Sequence, residues 1–266
     1  MKTQIAVFAA LVLMLFCGGC ATNAVTGKTE FQLMGGNISS DVAMGQQASE
    51  GVIKEMSKGE VSGPMQNYVN YVGQKIAAVS HNPELEWHFM VLNNETVNAF
   101  ALPGGYIYIT TGMLKALQNE SQMAAVLAHE AVHVTARHSA SAMSKQLAVD
   151  LAISLGTNAK TASAMRVAQI VSQLEGLSYS RKHEREADFY GLDYLVAAGY
   201  NPNGMVEMMK MLEQLNSSSP IEFFSTHPSP ENRLELIEQK IREKGWQPLG
   251  LVNEQDYRKN VLSYLP

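Results

Sequence analysis

The sequence predicts an α+β fold that is mostly helical and contains a small β-sheet. Three observations support this prediction. Apolar residues recur at helical spacing in several segments, most clearly from Pro64 to Val79. Trp87, Phe89 and Val91 instead follow the two-residue period of a strand. A Pro-Gly-Gly turn at residues 103–105 then separates two further short strand-like runs.

Length and composition limit the classes of function. The 266 residues can bury a sizeable core, either in one large domain or in two small ones. A net charge of −5 without basic runs argues against nucleic acid as a partner. After the N-terminus, no segment of the sequence has the length and apolarity of a membrane span.

The N-terminus has the features of a targeting segment. Lys2 precedes an apolar run from Ile5 to Phe16, and Cys17-Gly-Gly-Cys20 follows. Small residues before a cysteine resemble the bacterial lipoprotein signal, so we expect a signal peptide at 1–19 and an acylated Cys20. The resemblance also suggests sorting to the outer membrane, because no Asp follows the cysteine. An uncleaved membrane anchor is the alternative.

The expected domain organisation follows from composition along the chain. Residues 20–40 are predicted to be a lipidated tether, because polar and small residues are frequent and periodicity is weak. Residues 41–245 form the predicted domain, with helices at 41–58 and 64–79 near its start. Residues 246–266 are predicted to be a C-terminal tail.

A predicted β portion lies between these helices and the next one. The strand at residues 87–92 places His88 on a sheet face rather than at a metal. Residues 98–102 and 106–109 are predicted as two strands joined by the Pro-Gly-Gly turn. Pro103 favours an edge position for this hairpin, since proline cannot donate a ladder hydrogen bond.

The segment from Gln122 to His138 carries the strongest chemical signal. It is predicted to be a helix capped by Asn119, on which His129 and His133 lie four residues apart on one face. Two such imidazoles can bind one Zn²⁺, and Glu130 beside them can accept a proton from water. This spacing is the HExxH pattern of zinc peptidases. The alternative is an ordinary core helix with surface histidines.

A second cluster opens the predicted helix from Arg181 to Gly199. A catalytic zinc commonly has three protein ligands, and we expect Glu184 to be the third. Asp188, one turn later, is placed to accept a proton from a ligand histidine and fix its tautomer. Glu186 is expected to face solvent, and His183 to face another direction than Glu184.

His138 also competes for the role of third ligand. It lies nine residues beyond His129, which is roughly the opposite side of a straight helix. We therefore expect His138 to be structural. Residues 139–180 are predicted to form two modest helices or a mobile excursion.

His227 lies in the proline-flanked stretch from Phe224 to Pro230, which we expect to stay non-helical until Ser229 caps a last helix ending at Gly245. Two functional roles are open for this histidine. It could hydrogen-bond the oxyanion of a tetrahedral intermediate, or it could occupy the fourth position on zinc and hold the site closed. A structural loop histidine is the third possibility.

Four motifs in order give the sequence a family resemblance. They are His129-Glu-Ala-Val-His133, Glu184-x-x-x-Asp188, Asn98-Ala-Phe-x-x-Pro-Gly-Gly105, and Thr226-His-Pro228 with Arg233. Together they resemble the gluzincin zinc metallopeptidases of the HtpX, BepA and LoiP group, in the layout of its compact lipoprotein member. Val132 departs from the Gly or Ala usual at its position, and no helical-repeat domain follows.

The resemblance implies a zincin-type fold and a zinc endopeptidase of the bacterial cell envelope that cleaves damaged, misfolded or misassembled proteins. It implies one Zn²⁺ per subunit, and Glu130 as general base with His227 as a resting-state gate. The edge strand would bind extended substrate through residues Asn98, Ala99, Phe100, Pro103 and Gly104; a plain structural hairpin is the alternative.

The expected partners and location follow from the same reading. They are protein or peptide substrates, a membrane reached through the lipid on Cys20, and an unidentified envelope protein. The expected location is the outer membrane, facing the periplasm. Two alternative functions stay open, namely a chaperone-like or scaffold lipoprotein with a gated zinc site and a zinc amidase acting on peptidoglycan peptides.

Overall fold

The computed structural model describes residues 20–31, 37–59, 61–142, 178–229 and 232–265. The predicted signal peptide at 1–19 and most of the predicted segment 139–180 lie outside these residues. The helical content and the small sheet confirm the predicted fold class. Among the described residues, no helix combines the length and the apolarity needed to cross a membrane.

The first described segment is a short hairpin within the predicted tether. Strands β1 (Cys20–Thr22) and β2 (Thr29–Phe31) pair antiparallel. In the turn between them, the Asn23 side chain accepts hydrogen bonds from the backbone of Val25 and Thr26. Val25 packs into the main core, so the start of this segment is attached to the folded domain.

Two helices precede the sheet. Helix α1 (Ile38–Met56) begins at Asn37, whose side chain accepts a hydrogen bond from the Ser40 backbone. Helix α2 (Pro64–Ala77) begins with Pro64 in the first turn, where the missing N–H costs nothing. Both helices lie close to their predicted bounds.

The three-stranded sheet has the order β3–β5–β4, with β3 (His88–Leu92), β4 (Ala99–Leu102) and β5 (Tyr106–Thr110). Strands β4 and β5 form the predicted antiparallel hairpin, and β3 pairs parallel with β5. Gly104 and Gly105 have φ of +79° and +99°, which explains the two glycines in this turn. Strand β4 is one of the two edge strands of this sheet, as the position of Pro103 predicts.

Helix α3 (Thr111–Ala116) leads into α4 (Glu120–Thr135), the central helix of the domain. Every residue of α4 is buried, and the Asn119 side chain caps it by accepting from the Gln122 backbone. The carboxylate of Glu120 receives hydrogen bonds from the hydroxyls of Tyr68 and Tyr200. These hydrogen bonds fix the start of α4 against Tyr68 of α2 and against Tyr200, which follows the next long helix.

The predicted helix through His138 is interrupted in the structure. Helix α4 ends at Thr135, and Ala136 and Arg137 form a turn in which Arg137 has a φ of 59°. Residues 138–142 are again helical. The break changes the direction of the chain, so the straight-helix argument for His138 does not apply.

Helix α5 (Arg181–Ala197) packs closely against α4, capped by Ser180. A Cβ atom on Gly191 would lie 3.2 Å from the His129 backbone, so the absence of a side chain there permits the close approach of the two helices. Helices α6 (Asn203–Ser218) and α7 (Glu222–Thr226) follow, and Met205, Met208 and Met209 of α6 are completely buried.

The C-terminal part differs from prediction in two places. Helix α7 continues to Thr226, since Pro228 restricts only the residue before it, and α8 (Arg233–Lys244) begins at Asn232 rather than at Ser229. The predicted tail is folded onto the domain. It contains α9 (Glu254–Asn260) and a 3₁₀ turn (Leu262–Tyr264), and Tyr257 and Val261 are completely buried.

Candidate metal centre

Four buried side chains converge between helices α4, α5 and α7. One ligand atom from each of His129, His133, Glu184 and His227 lies within 4.8 Å of the other three. The histidines of α4 are one turn apart, which places both rings on the face towards α5. All four are residues that the sequence motifs singled out.

The spacing of three of these groups fits a tetrahedral zinc ion. Zinc bonds of 2.0–2.1 Å at tetrahedral angles separate neighbouring ligand atoms by about 3.3–3.4 Å. The two Nε2 atoms of His129 and His133 are 3.1 Å apart. The Glu184 carboxylate oxygens lie 3.5 Å from Nε2 of His129 and 3.4 Å from Nε2 of His133. The donor set of two imidazoles and one carboxylate is also one that zinc prefers.

Unsatisfied polar atoms give a second test of the fit. Within the described residues, neither carboxylate oxygen of Glu130 or Glu184 has a hydrogen-bond partner, and neither does Nε2 of His227. Buried polar atoms normally have such partners, and leaving a buried charge without one is costly. A cation between these groups would satisfy them together.

The members of the cluster differ in the direction of their pKa shifts. Burial alone would lower the pKa of His129, but Asp188 and Glu184 outweigh it and raise the pKa to about 9. Burial dominates at His133 and holds its pKa well below the ordinary value, despite Glu184. Burial would raise the pKa of Glu184, yet His227, His129 and His133 hold it well below its usual range. The pKa shift favours the carboxylate form of Glu184, which is the form that can bind a cation.

His129 is supported directly by a carboxylate. Its Nδ1 lies 3.1 Å from Oδ1 of Asp188, as predicted from helical spacing. Arg233 donates to both oxygens of Asp188 at 2.7 Å, and its Nη2 is 3.3 Å from Glu184. Arg233 is only 3% exposed, so a buried charge pair orients this histidine.

Glu130 and His227 face each other across the cluster. Oε1 of Glu130 is 3.2 Å from Nε2 of His227, and both side chains are completely buried. Nδ1 of His227 is 2.9 Å from the Thr226 hydroxyl and 3.3 Å from the Phe223 carbonyl. Because a carbonyl only accepts, Nδ1 is the nitrogen that donates to Phe223, and the other ring nitrogen, Nε2, faces the cluster.

His133 is supported by residues that the sequence interpretation assigned elsewhere. Nδ1 of His138 lies 3.1 Å from Nδ1 of His133, because the turn at Arg137 brings His138 back to α4. Nε2 of His138 is 3.1 Å from Glu186, whose side chain is only 13% exposed. The His183 ring stacks on His138 at 4.1 Å between ring centroids. The predictions of an opposite-side His138 and a solvent-facing Glu186 are therefore wrong.

Contact with His138 also changes the ionisation of Glu186. Burial alone would raise the pKa of this carboxyl, but the hydrogen bond from His138 and the nearby charge of Lys182 lower it. Glu186 is thus a carboxylate that accepts hydrogen bonds and cannot donate them.

Tyr179 is a site residue that sequence reasoning missed. Its ring stacks on His133 at 3.8 Å, and burial raises the pKa of its hydroxyl. The hydroxyl lies 3.0 Å from the Ser139 hydroxyl and donates to the Ala101 carbonyl of β4 at 3.4 Å. The sequence shows only a tyrosine just before the residue that caps α5. Nothing in the local pattern around it indicates these distant contacts.

Strand β4 is connected to this cluster through Tyr179, which stacks on His133 and donates to the Ala101 carbonyl. Ala99 and Phe100 belong to β4, Pro103 and Gly104 belong to its turn, and Asn98 precedes it. Asn98 is 4% exposed, and within the described residues its side-chain oxygen has no hydrogen-bond partner. His88 lies on the other outer strand, stacked on Tyr106, and is not part of the metal cluster.

Comparison with known proteins assigns the family. The profile of Peptidase family M48 matches residues 65–241, which contain all four side chains of the cluster. The chain belongs to peptidase family M48. Members of this family are metal-dependent peptidases, and the resemblance inferred from the four motifs is thereby confirmed.

Individual relatives agree with the M48 assignment. The beta-barrel assembly-enhancing protease of Escherichia coli K12 is 30% identical over 241 residues, covering 84% of this chain and 49% of that protein. The mitochondrial metalloendopeptidase OMA1 of Schizosaccharomyces pombe is 34% identical over 182 residues, covering 68% of this chain and 54% of that protein. The chain spans about half the length of these curated relatives.

Proposed function

We propose that this M48 chain is a zinc-dependent endopeptidase of the bacterial cell envelope that cleaves damaged, misfolded or misassembled proteins. The observation that carries the proposal is the buried cluster of His129, His133 and Glu184 at zinc-ligand spacing, with the Glu130 carboxylate beside it. The peptidase names of the relatives support the same reaction class.

The residues divide the chemistry between them. His129, His133 and Glu184 would hold the ion, which when bound supplies Lewis-acid polarisation of a carbonyl and makes water more acidic. Glu130 takes the proton of the attacking water and returns it to the leaving amine. Complete burial keeps bulk water away from Glu130, which strengthens its charge interactions with reacting groups.

Substrate binding is proposed at β4. Its outer edge offers backbone groups to an extended peptide, and the turn at Pro103 and Gly104 bounds that edge. Ala99 and Phe100 would contribute backbone contacts, because their side chains are buried and Phe100 stacks on Tyr108. Asn98, whose side-chain oxygen has no hydrogen-bond partner among the described residues, would contribute a polar contact. Because unfolded chains present extended segments, this mode suits damaged or misassembled proteins.

Replacing Glu130 by Gln tests the reaction. Gln keeps the shape of the side chain but cannot accept the proton, so cleavage of an unfolded protein should fall by about 100-fold or more. Zinc content should be retained, because Glu130 is not a proposed ligand. Glu254→Gln on the exposed face of α9 is the matched control. Near-normal cleavage by Glu130→Gln would contradict the mechanism.

The envelope location rests on the N-terminal signal rather than on the family, since relatives include a mitochondrial enzyme. We propose that Cys20 is acylated and that the chain is held at the outer membrane, facing the periplasm. Acyl chains contribute about 0.8 kcal/mol of membrane affinity per buried CH₂. Cys20→Ser should abolish labelling by a fatty-acid probe and block processing, and unchanged labelling would reject the anchor.

His227 is proposed to gate the site. Its Nε2 faces the cluster, 3.2 Å from Glu130, where the neutral ring can occupy the fourth position on the ion. The same placement suits hydrogen bonding to an oxyanion once the ring is protonated. A gated site also suits the second candidate function, a chaperone-like or scaffold lipoprotein, because occupation of that position excludes substrate.

A further inference from the structure

We propose that Glu186 and His138 position the metal ligand His133 through a chain of two hydrogen bonds, so that Glu186 sets the tautomer of a ligand it does not touch. This inference rests on the proposed metal site, and it assigns a positioning role to two residues whose sequence pattern suggested none.

The geometry forms a continuous path. Nδ1 of His133 is 3.1 Å from Nδ1 of His138, and Nε2 of His138 is 3.1 Å from Oε2 of Glu186. Both imidazoles are completely buried, and the carboxylate is mostly covered. Water therefore has little access to compete for either hydrogen bond.

The identity of each donor follows from the far end of the path. The Glu186 carboxylate only accepts, so Nε2 of His138 must carry the proton between them. The neutral His138 ring then has a lone pair on Nδ1, and that nitrogen accepts from Nδ1 of His133. His133 is left with its lone pair on Nε2, the atom that faces Glu184 and Nε2 of His129.

The contacts around this path hold its members in place. The His183 ring lies flat on His138, with ring centroids 4.1 Å apart and 10° between the planes. Tyr179 stacks on the ring of His133. Lys182, which is about half exposed, lies 3.7 Å from the other oxygen of Glu186, Oε1, and is not part of the path through Oε2. Rings packed between other rings cannot easily rotate away from these hydrogen bonds.

Zinc affinity and tautomer state together test this proposal. In the full chain, Glu186→Met removes the acceptor at similar length, and we expect zinc affinity measured against a competing chelator to fall about tenfold. Glu186→Gln retains an oxygen that can accept and should recover part of that loss. Lys182→Met is the matched control, since it removes the other partner of Glu186 and should leave zinc affinity nearly unchanged.

The ¹⁵N resonances of the imidazoles give a readout that does not depend on cleavage. In the zinc-loaded wild type we expect His138 protonated on Nε2 and His133 protonated on Nδ1. Protonation of His138 on Nδ1 would overturn the proposal, as would wild-type zinc affinity in a folded Glu186→Met variant. If that variant does not fold, the wild-type resonances alone decide. Failure of the wild type to bind zinc would instead contradict the proposed function.

Discussion

The two histidines of the HExxH helix are supported in different ways. His129 contacts a carboxylate directly, and the Asp188–Arg233 pair behind it is buried on α5 and α8. His133 reaches its carboxylate only through His138, and Glu186 at the end of that path is partly exposed. Both arrangements end in a cation, Arg233 at 2.7 Å on one side and Lys182 at 3.7 Å on the other.

This difference indicates which part of the site is more rigid: the His129 side, with Asp188 and Arg233, or the His133 side, with His138 and Glu186. A bidentate Arg–carboxylate pair fixes the distance and the plane of both groups, so the His129 side has little freedom. The His133 side depends on two imidazole hydrogen bonds and on the turn at Arg137 that returns His138 to α4. We therefore expect changes behind His129 to affect metal binding more than changes behind His133.

The largest expected loss of metal affinity comes from Glu184→Ala, because this carboxylate lies close to both His129 and His133. Removing a proposed ligand should cost more than the ~10–100-fold expected for an outer partner, and cleavage should disappear with the metal. Zinc content after dialysis measures the effect, with the exposed Glu213→Ala on α6 as control. Full zinc occupancy in Glu184→Ala would place the third ligand elsewhere.

Asp188→Asn tests the direct contact between His129 and its carboxylate partner. The amide cannot supply the charge that Asp188 provides to His129 and Arg233, so we expect zinc affinity to fall about 10–100-fold. The uncompensated charge of buried Arg233 should also lower the melting temperature of the variant. A smaller loss of zinc affinity than in Glu186→Met would reverse the proposed ranking of the two sides.

Helical spacing explains what the sequence could predict about this site. His129, His133, Glu184 and Asp188 were found because each pair is four residues apart within an uninterrupted helix. The Pro-Gly-Gly turn predicted the β4–β5 hairpin equally well, since positive φ at both glycines is a local requirement. These features depend on short stretches of chain, and a short stretch contains the information that determines them.

The other side of the site depends on contacts that local patterns do not contain. Arg137 is not a residue type that usually marks a left-handed turn, so the end of α4 was not predicted and His138 was placed on the wrong face. Tyr179 reaches β4, and Tyr257 donates to the Leu114 carbonyl, across long sequence separations. Such contacts follow from tertiary packing rather than from periodicity.

Arg137→Met tests the turn on which the His133 side depends. Arg137 donates to both oxygens of buried Asp41 at 2.7 and 2.8 Å, so removing it leaves an unpaired carboxylate and should destabilise the fold by about 3–5 kcal/mol. Zinc affinity should fall less than in Asp188→Asn. The double variant Arg137→Met with Asp41→Asn should recover stability in denaturant unfolding, and an additive loss would exclude the pair as the cause.

The smallest expected change in metal affinity comes from His227→Ala, since three protein ligands remain. If His227 gates the site, this variant should retain zinc and cleave an unstructured protein faster than the wild type, because the fourth position is no longer occupied. Loss of cleavage with zinc retained would instead assign His227 to the oxyanion, at a cost of about 100-fold or more in rate. Thr226→Val is the matched control for the loop, because it removes the hydroxyl at 2.9 Å from Nδ1 and leaves the imidazole in place. No change in zinc content or cleavage in His227→Ala would leave this residue with a structural role. The contacts behind His129 and His133 would then hold the site in place without a gate.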